Sequence, residues 1–121
     1  MAGRYIHMLK VSPSNDGFIK VINQEYDYGI LGTMLNGRPT MIPLTPRLGV
    51  FTLPRNRVGR PIGILTAPML HLPRRIPIFK MAIVIAFYRG LAVSTTPEDI
   101  AKFKMLYKVA EEEPRKLRLL S

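Results

Sequence analysis

Residues 81 to 88 form an apolar run without a break, which reads Met81-Ala82-Ile83-Val84-Ile85-Ala86-Phe87-Tyr88. The β-branched residues in the run, and Gly90 after it, fit a fully buried strand. A buried helical turn has the same hydrophobic pattern over so few positions. Such a run needs cover from the rest of the fold. The sequence therefore predicts one buried apolar element and leaves strand and helix open.

The segment that follows carries the clearest helix signal of the chain. Thr96 is a typical N-cap, Pro97 suits the first helical position, and the acids at the next two positions favour the helix dipole. Beyond them, apolar residues share one helical face at Ile100, Phe103, Leu106, Tyr107 and Ala110. This pattern predicts an amphipathic helix of about four turns that packs on the apolar run. The acidic residues 111 to 113 are expected to end it.

The N-terminal part of the chain predicts short strands. Residues 4 to 11 alternate in character, residues 12 to 17 are a concentrated turn signal, and an apolar stretch follows. The natural interpretation is a β-hairpin. A further apolar run, from Tyr28 to Leu35, is interrupted by Gly29 and Gly32, which weakens a regular strand and allows a bulge.

The middle of the chain, residues 36 to 77, holds eight of the eleven prolines. Proline at this density rules out a long helix and permits short or edge strands, for which Leu48 to Leu53 and Ile62 to Thr66 are the best candidates. The segment is also rich in apolar residues, so it should pack against the rest of the domain or against a partner. Two interpretations stay open: an extended segment that threads through an assembly, and a compact β-domain with arginines at its turns.

These zones predict a single domain, residues 1 to 121, of the α+β class. Residues 4 to 35 contribute short strands, and residues 36 to 77 contribute an extended Pro/Arg-rich middle. Residues 78 to 113 hold the buried apolar element and the C-terminal amphipathic helix, and residues 114 to 121 are a basic tail.

Charge is segregated along the chain, whose formal net charge is +10. From Tyr28 to Pro97 there is no Asp or Glu, yet the stretch holds eight arginines and Lys80. Cations without acidic neighbours require anions or solvent, and arginine suits bidentate contact with phosphate. The predicted nucleic-acid-binding residues are Arg38, Arg47, Arg55, Arg57, Arg60, Arg74 and Arg75. The expected partners are RNA or DNA, together with neighbouring protein subunits.

Catalytic and metal-binding patterns are missing from the sequence. The chain has no Cys, and neither of its two histidines, His7 and His71, has a second ligand at metal-binding spacing. The glycine pairs do not match a phosphate loop. We therefore expect a protein that is not an enzyme and that uses no cofactor and no metal.

A membrane alternative rests on residues Ile76 to Val93, which are near the length that crosses a bilayer. Lys80 and Arg89 interrupt the span, at a cost of about 2.5 to 3.5 kcal/mol each near the bilayer centre. This alternative is a single-pass accessory subunit of a multiprotein complex, associated with the membrane through that span. The chain lacks cysteine and an N-terminal apolar run of the length that a secretory signal needs, so a reducing intracellular compartment is expected, with membrane association as the alternative.

In composition, the chain resembles the basic subunits of large ribonucleoprotein assemblies. No nucleic-acid-binding motif accompanies this resemblance. The leading prediction is a non-enzymatic structural or binding subunit that contacts nucleic acid.

Overall fold

The computed structural model describes residues 4–12, 19–53, 61–69 and 74–109. Within these ranges the chain forms nine strands and two helices. In chain order they are β1 (Tyr5–Val11), β2 (Ile19–Glu25), α1 (Tyr28–Leu35), β3 (Thr40–Pro43), β4 (Leu48–Thr52), β5 (Gly63–Ala67), β6 (Arg74–Ile78), β7 (Ala82–Tyr88), β8 (Leu91–Val93), α2 (Pro97–Leu106) and β9 (Tyr107–Val109).

The predicted α+β class is wrong, because the described residues are mostly β-sheet, with 52% in strands and 20% in helices. Six strands form one antiparallel sheet in the order β2-β1-β7-β4-β3, with β8 paired to β7. Three form a second antiparallel sheet in the order β6-β5-β9. The difference arises mainly in the proline-rich middle, which supplies four strands. An apolar extended segment satisfies its backbone donors and acceptors by pairing with other strands.

The apolar run forms β7, which lies in the middle of the six-stranded sheet and settles the choice between strand and helix. Strand β4 pairs with it on one side, and β1 and β8 pair with it on the other. Successive side chains of a strand point to opposite faces. Val84 therefore packs in one hydrophobic cluster and Ile83 in another, and both are fully buried.

The centre of the six-stranded sheet is covered on both faces. On one face, Leu31 and Leu35 of α1 pack with Ile83 and the rest of its cluster. On the other, the three-stranded sheet and α2 supply cover, and Phe103 of α2 packs in the same cluster as Val84. The core therefore consists of two apolar layers, one on each side of the larger sheet.

Residues 28 to 35 form helix α1, so the expected irregular strand is wrong. The Asp27 side chain accepts a hydrogen bond from the Ile30 N–H at 3.1 Å, and Asn36 ends the helix in the left-handed conformation, with φ of 61°. These caps favour a helix at both ends. Leu31 and Leu35, four residues apart, lie on the same helical face and cover the sheet.

Helix α2 begins as predicted. The Asp99 N–H donates to the Thr96 hydroxyl at 3.2 Å, and the Thr96 N–H donates to the Asp99 carboxylate at 2.8 Å, which completes a capping box. The helix ends at Leu106, earlier than expected, because the next three residues pair with β5 as strand β9. The acidic residues 111 to 113 and the basic tail lie outside the described residues.

Tyr107 fixes the junction between β9 and β5. Its hydroxyl donates to the Ile62 carbonyl at 3.2 Å, and its ring stacks on Phe103 with centroids 5.3 Å apart. Burial raises the pKa of Tyr107 to about 12. A Cβ atom added to Gly63 would overlap the Tyr107 ring. Glycine is therefore required at position 63 for this close approach.

Both strand predictions in the proline-rich middle are confirmed, as β4 and β5. Pro43 and Pro77 lie in β3 and β6, which are outer strands of their sheets, as the missing backbone donor of proline requires.

In the part of the chain that the structure describes, neither helix has the length and apolar character needed to cross a membrane. The segment from Ile76 to Val93, on which the membrane alternative rests, contributes to strands β6, β7 and β8.

Candidate nucleic-acid interface

The described residues include twelve Lys or Arg and four Asp or Glu side chains, so positive charge is in excess among them. Strands β5, β6 and β9 of the smaller sheet contain no Asp or Glu. A basic surface on this sheet therefore lacks acidic neighbours within its own strands. This is the condition under which a protein surface attracts polyanions.

Strand register divides the smaller sheet into an inner and an outer face. Residues directly opposite each other in antiparallel strands lie on the same face. Leu65 is buried and faces the core, so the neighbouring positions on β5 face outward. The outward set, which we call the basic sheet face, consists of Ile64, Thr66, Arg75, Pro77 and Lys108.

Arg75 and Lys108 lie diagonally across the basic sheet face. Arg75 is opposite Thr66, and Lys108 is opposite Ile64, two residues earlier on the same strand. Normal strand spacings place their Cα atoms about 12 Å apart. Both side chains are exposed, as is Thr66 between them. Two flexible cations at this separation can reach different phosphates of one extended chain.

Arg74 begins the same strand as Arg75 and is also exposed, but it lies in the register of the inner face, opposite Ala67. The structure therefore brings Arg74 and Arg75 together at the start of β6, with their side chains directed to opposite sides.

The other predicted arginines do not lie on the smaller sheet. Arg38 is exposed between α1 and β3, next to the larger sheet. Arg55, Arg57 and Arg60 lie outside the described residues, and their role stays a prediction.

Arg47 has an acidic partner inside the fold. Its Nε–H donates to both carboxylate oxygens of Asp99, at 2.8 and 3.1 Å. Burial raises the pKa of Asp99, but the hydrogen bond from Arg47, those from Thr96 and the charge of Arg47 outweigh it, so the net pKa is lowered. The acid-free stretch therefore uses an acid from α2 to pair this arginine. A nucleic-acid contact by Arg47 stays a prediction.

Lys108 lies on the basic sheet face but was not among the residues predicted to bind nucleic acid. The expected helix ran through this position, and a lysine on the exposed side of a helix carries no specific signal. Its significance comes from strand β9, which places it across the sheet from Arg75. The boundary between helix and strand at Leu106 could not be read from periodicity, because Tyr107 is apolar in both interpretations.

Within the described ranges, no group of three or more His, Cys, Asp or Glu residues could hold a metal ion. Asp99 is the single buried acid among these residues, and its carboxylate is engaged by Arg47 and Thr96. This carboxylate caps a helix and anchors an arginine.

Comparisons of the chain with protein-family models, with curated proteins and with solved structures found no match.

Proposed function

We propose that this protein is a non-enzymatic binding subunit of a larger assembly and contacts nucleic acid through the basic sheet face. The observation that carries the proposal is the exposed pair Arg75 and Lys108 on a sheet whose three strands contain no acid. A phosphate backbone supplies the anions that this surface lacks.

Two further features support this proposal. The net charge of +10 favours association with polyanions over a long range. Thr66, between the two cations, offers a hydroxyl that can donate to a phosphate oxygen. Contacts of this kind are made to the backbone rather than to base edges, so the expected binding through this face has little dependence on sequence.

The direct test removes the two cations together. We expect Arg75→Gln/Lys108→Gln to weaken binding of a fluorescently labelled RNA or DNA oligonucleotide, measured by anisotropy over a series of salt concentrations. If five phosphates are neutralised by the wild type, the slope of log affinity on log salt is about −3.5 to −4.5. The double variant, if it loses two of these phosphates, should make this slope shallower by about 1.4 to 1.8.

A matched control removes the same charge elsewhere. Lys20 on β2 and Lys102 on α2 are both exposed and lie outside the basic sheet face, so Lys20→Gln/Lys102→Gln also deletes two positive charges. The proposal requires the Arg75/Lys108 variant to lose more affinity than this control. Equal losses would show that binding follows net charge and not this face. Wild-type binding that does not change with salt would remove the polyanion function.

A further inference from the structure

A second exposed surface lies on the larger sheet, away from the basic sheet face. Tyr5 of β1, Leu91 of β8 and Tyr88 of β7 are 62%, 61% and 56% exposed. Leu91 is opposite Tyr88, and strand alternation places Tyr88 and Tyr5 on the same face as the buried pair Val84 and Leu9. We call Tyr5, Leu91 and Tyr88 the tyrosine row.

Strand β8 creates this row by lying between the first half of β1 and the end of β7. The Thr95 N–H donates to the His7 carbonyl at 3.0 Å, and the His7 N–H donates to the Ser94 hydroxyl at 2.9 Å. On the far side of this segment, β8 pairs with β7. The row therefore crosses three neighbouring strands, and its two tyrosines are about 10 Å apart by normal strand spacing.

The turn at the end of the row contains an unusual residue. Arg89 has φ of 53° and Gly90 has φ of 80°, which makes a two-residue hairpin turn between Tyr88 and Leu91. Asn-Gly is the preferred pair for such a turn, and arginine at its first position is strained. The Arg89 guanidinium lies over the Tyr88 ring, 5.4 Å from its centroid. The position therefore places a cation beside an exposed aromatic ring at a cost in turn stability.

A second cation, Arg4, lies beside β8 but on the opposite face of the sheet, because it directly precedes Tyr5 and its carbonyl accepts a hydrogen bond from the Tyr26 N–H. A shallow pocket of about 230 Å³ is lined by Arg4, Ile6, Tyr26, Gly90, Leu91 and Ala92. Arg4 donates one hydrogen bond to the Ala92 carbonyl at 2.8 Å, and a guanidinium has five donors in total. Glu25 is opposite Tyr5 in β2, half-buried, and makes contacts of its own.

We infer that the tyrosine row binds single-stranded nucleic acid, with unpaired bases stacked on Tyr5 and Tyr88 and a phosphate held by Arg89. This inference rests on the proposed function and adds a base-stacking site to the phosphate-binding face. Exposed aromatic rings on a sheet stack splayed bases, and stacking is available only to unpaired ones. The Arg89 guanidinium beside the row favours a polyanion over an uncharged apolar segment.

The experiment compares three probes with the wild-type protein: oligo(dT), an abasic oligonucleotide of the same length, and a duplex. The abasic probe keeps the phosphates and lacks the bases. We expect oligo(dT) to bind at least fivefold more tightly than the abasic probe at the same salt concentration. Because the chain has no Trp, its intrinsic fluorescence comes from tyrosine, and stacking by oligo(dT) should quench part of it.

Variants of Tyr88 and Arg89 separate stacking from other roles. Tyr88→Leu keeps an apolar side chain without a ring and should weaken oligo(dT) binding by about 5- to 150-fold, while Tyr88→Phe should bind like the wild type. Arg89→Asn should weaken oligo(dT) binding and leave the thermal midpoint unchanged or higher, because Asn suits the turn. A residue with only a structural role would not give opposite effects on binding and stability.

Three results would overturn this inference. Equal affinity for oligo(dT) and the abasic probe would leave the proposed phosphate-binding function standing and remove the stacking site. Unchanged oligo(dT) binding by Tyr88→Leu would do the same, and would favour a protein segment as the occupant of the row. Duplex binding tighter than oligo(dT), with no tyrosine quenching, would place the whole interaction on the phosphate backbone. If the wild-type protein bound none of the three probes, the proposed function itself would be contradicted.

Discussion

The two sheets differ in how many of their faces are covered. In the larger sheet every residue of β4 is buried, and five consecutive residues of β7 are buried. In the smaller sheet β5 alternates between buried residues, such as Leu65, and residues with solvent contact, such as Thr66. A continuous apolar run therefore corresponds to two covered faces, and alternation corresponds to one.

This difference separates the structural residues from the proposed binding residues. The central strands of the larger sheet, β4 and β7, are buried over most of their length and are not accessible to a partner. The exposed Tyr5 and Tyr88 lie at the end of this sheet that α2 and the smaller sheet do not cover. The outer face of the smaller sheet has four exposed residues, Thr66, Arg75, Pro77 and Lys108. Binding on a free sheet face requires no rearrangement of the core, so substitutions there should change affinity without unfolding the protein.

The comparison predicts opposite effects on stability for an aspartate introduced into each sheet. Val84→Asp places a carboxylate without a partner inside the core layer that contains Phe103, and should cost about 4 kcal/mol or more, enough to unfold a marginally stable domain. Thr66→Asp places the same group on the basic sheet face and should change the free energy of unfolding by less than about 0.5 kcal/mol. Urea denaturation followed by circular dichroism measures both.

Thr66→Asp has a second expected effect that sharpens the comparison. The new carboxylate lies between Arg75 and Lys108, so it should weaken binding of the labelled oligonucleotide while the protein remains folded. A folded Val84→Asp variant would contradict the position of β7 between two apolar layers. A Thr66→Asp variant that unfolds would contradict the free outer face of the smaller sheet.

Much of the secondary structure could be predicted because its signals are local. The capping residues of α2, the hairpin pattern of β1 and β2, and the strands β4 and β5 each depend on a few neighbouring positions. Helix α1 was missed because Gly29 and Gly32 reduced the helical pattern, although Asp27 as N-cap and the spacing of Leu31 and Leu35 were available as signals. Fold class was missed because it depends on which strands pair, which is a long-range property.

The candidate site was predictable only as a charge pattern. The lack of acids indicated a polyanion partner, but it could not show that Asp99, 52 residues away in sequence, pairs with Arg47. Nor could it show that β9 places Lys108 across from Arg75. The tyrosine row depends on the insertion of β8 between β1 and β7. Its one sequence signal is the Arg89-Gly90 turn between Tyr88 and Leu91.

A smaller loss of stability is expected from a substitution at Gly63, where the Tyr107 ring of β9 packs directly on strand β5. In Gly63→Ala, the new methyl group should displace the Tyr107 ring from β5 and break the hydrogen bond from the Tyr107 hydroxyl to Ile62. The free energy of unfolding should fall by about 2 to 3 kcal/mol. The same substitution in a Tyr107→Leu background should cost less, because the shorter side chain does not reach position 63. Equal costs in the two backgrounds, measured by urea denaturation, would contradict this packing.

The smallest expected effect concerns the ion pair that connects the two regions. Arg47 lies in the turn between β3 and β4 of the larger sheet, and Asp99 lies in α2, which leads into the smaller sheet. Because the pKa of Asp99 is lowered in the folded protein, the unfolded chain binds its proton more readily. The stabilisation is therefore complete above the ordinary pKa of 3.8 and is lost as the pH falls through the lower, folded value.

Asp99→Asn should accordingly reduce the free energy of unfolding by about 1 kcal/mol at pH 7, since it removes charged hydrogen bonds to Arg47 and Thr96. The difference between variant and wild type should shrink as the pH is lowered below 3.8, because the carboxyl of the unfolded chain is protonated first and that of the folded protein follows at its lower pKa. Glu98→Gln is the matched control, because Glu98 lies in the same helical turn and is exposed. Denaturation curves at pH 7 and pH 3 make the comparison. A difference that is the same at both pH values would show that the Asp99 carboxylate does not stabilise the fold through its charge.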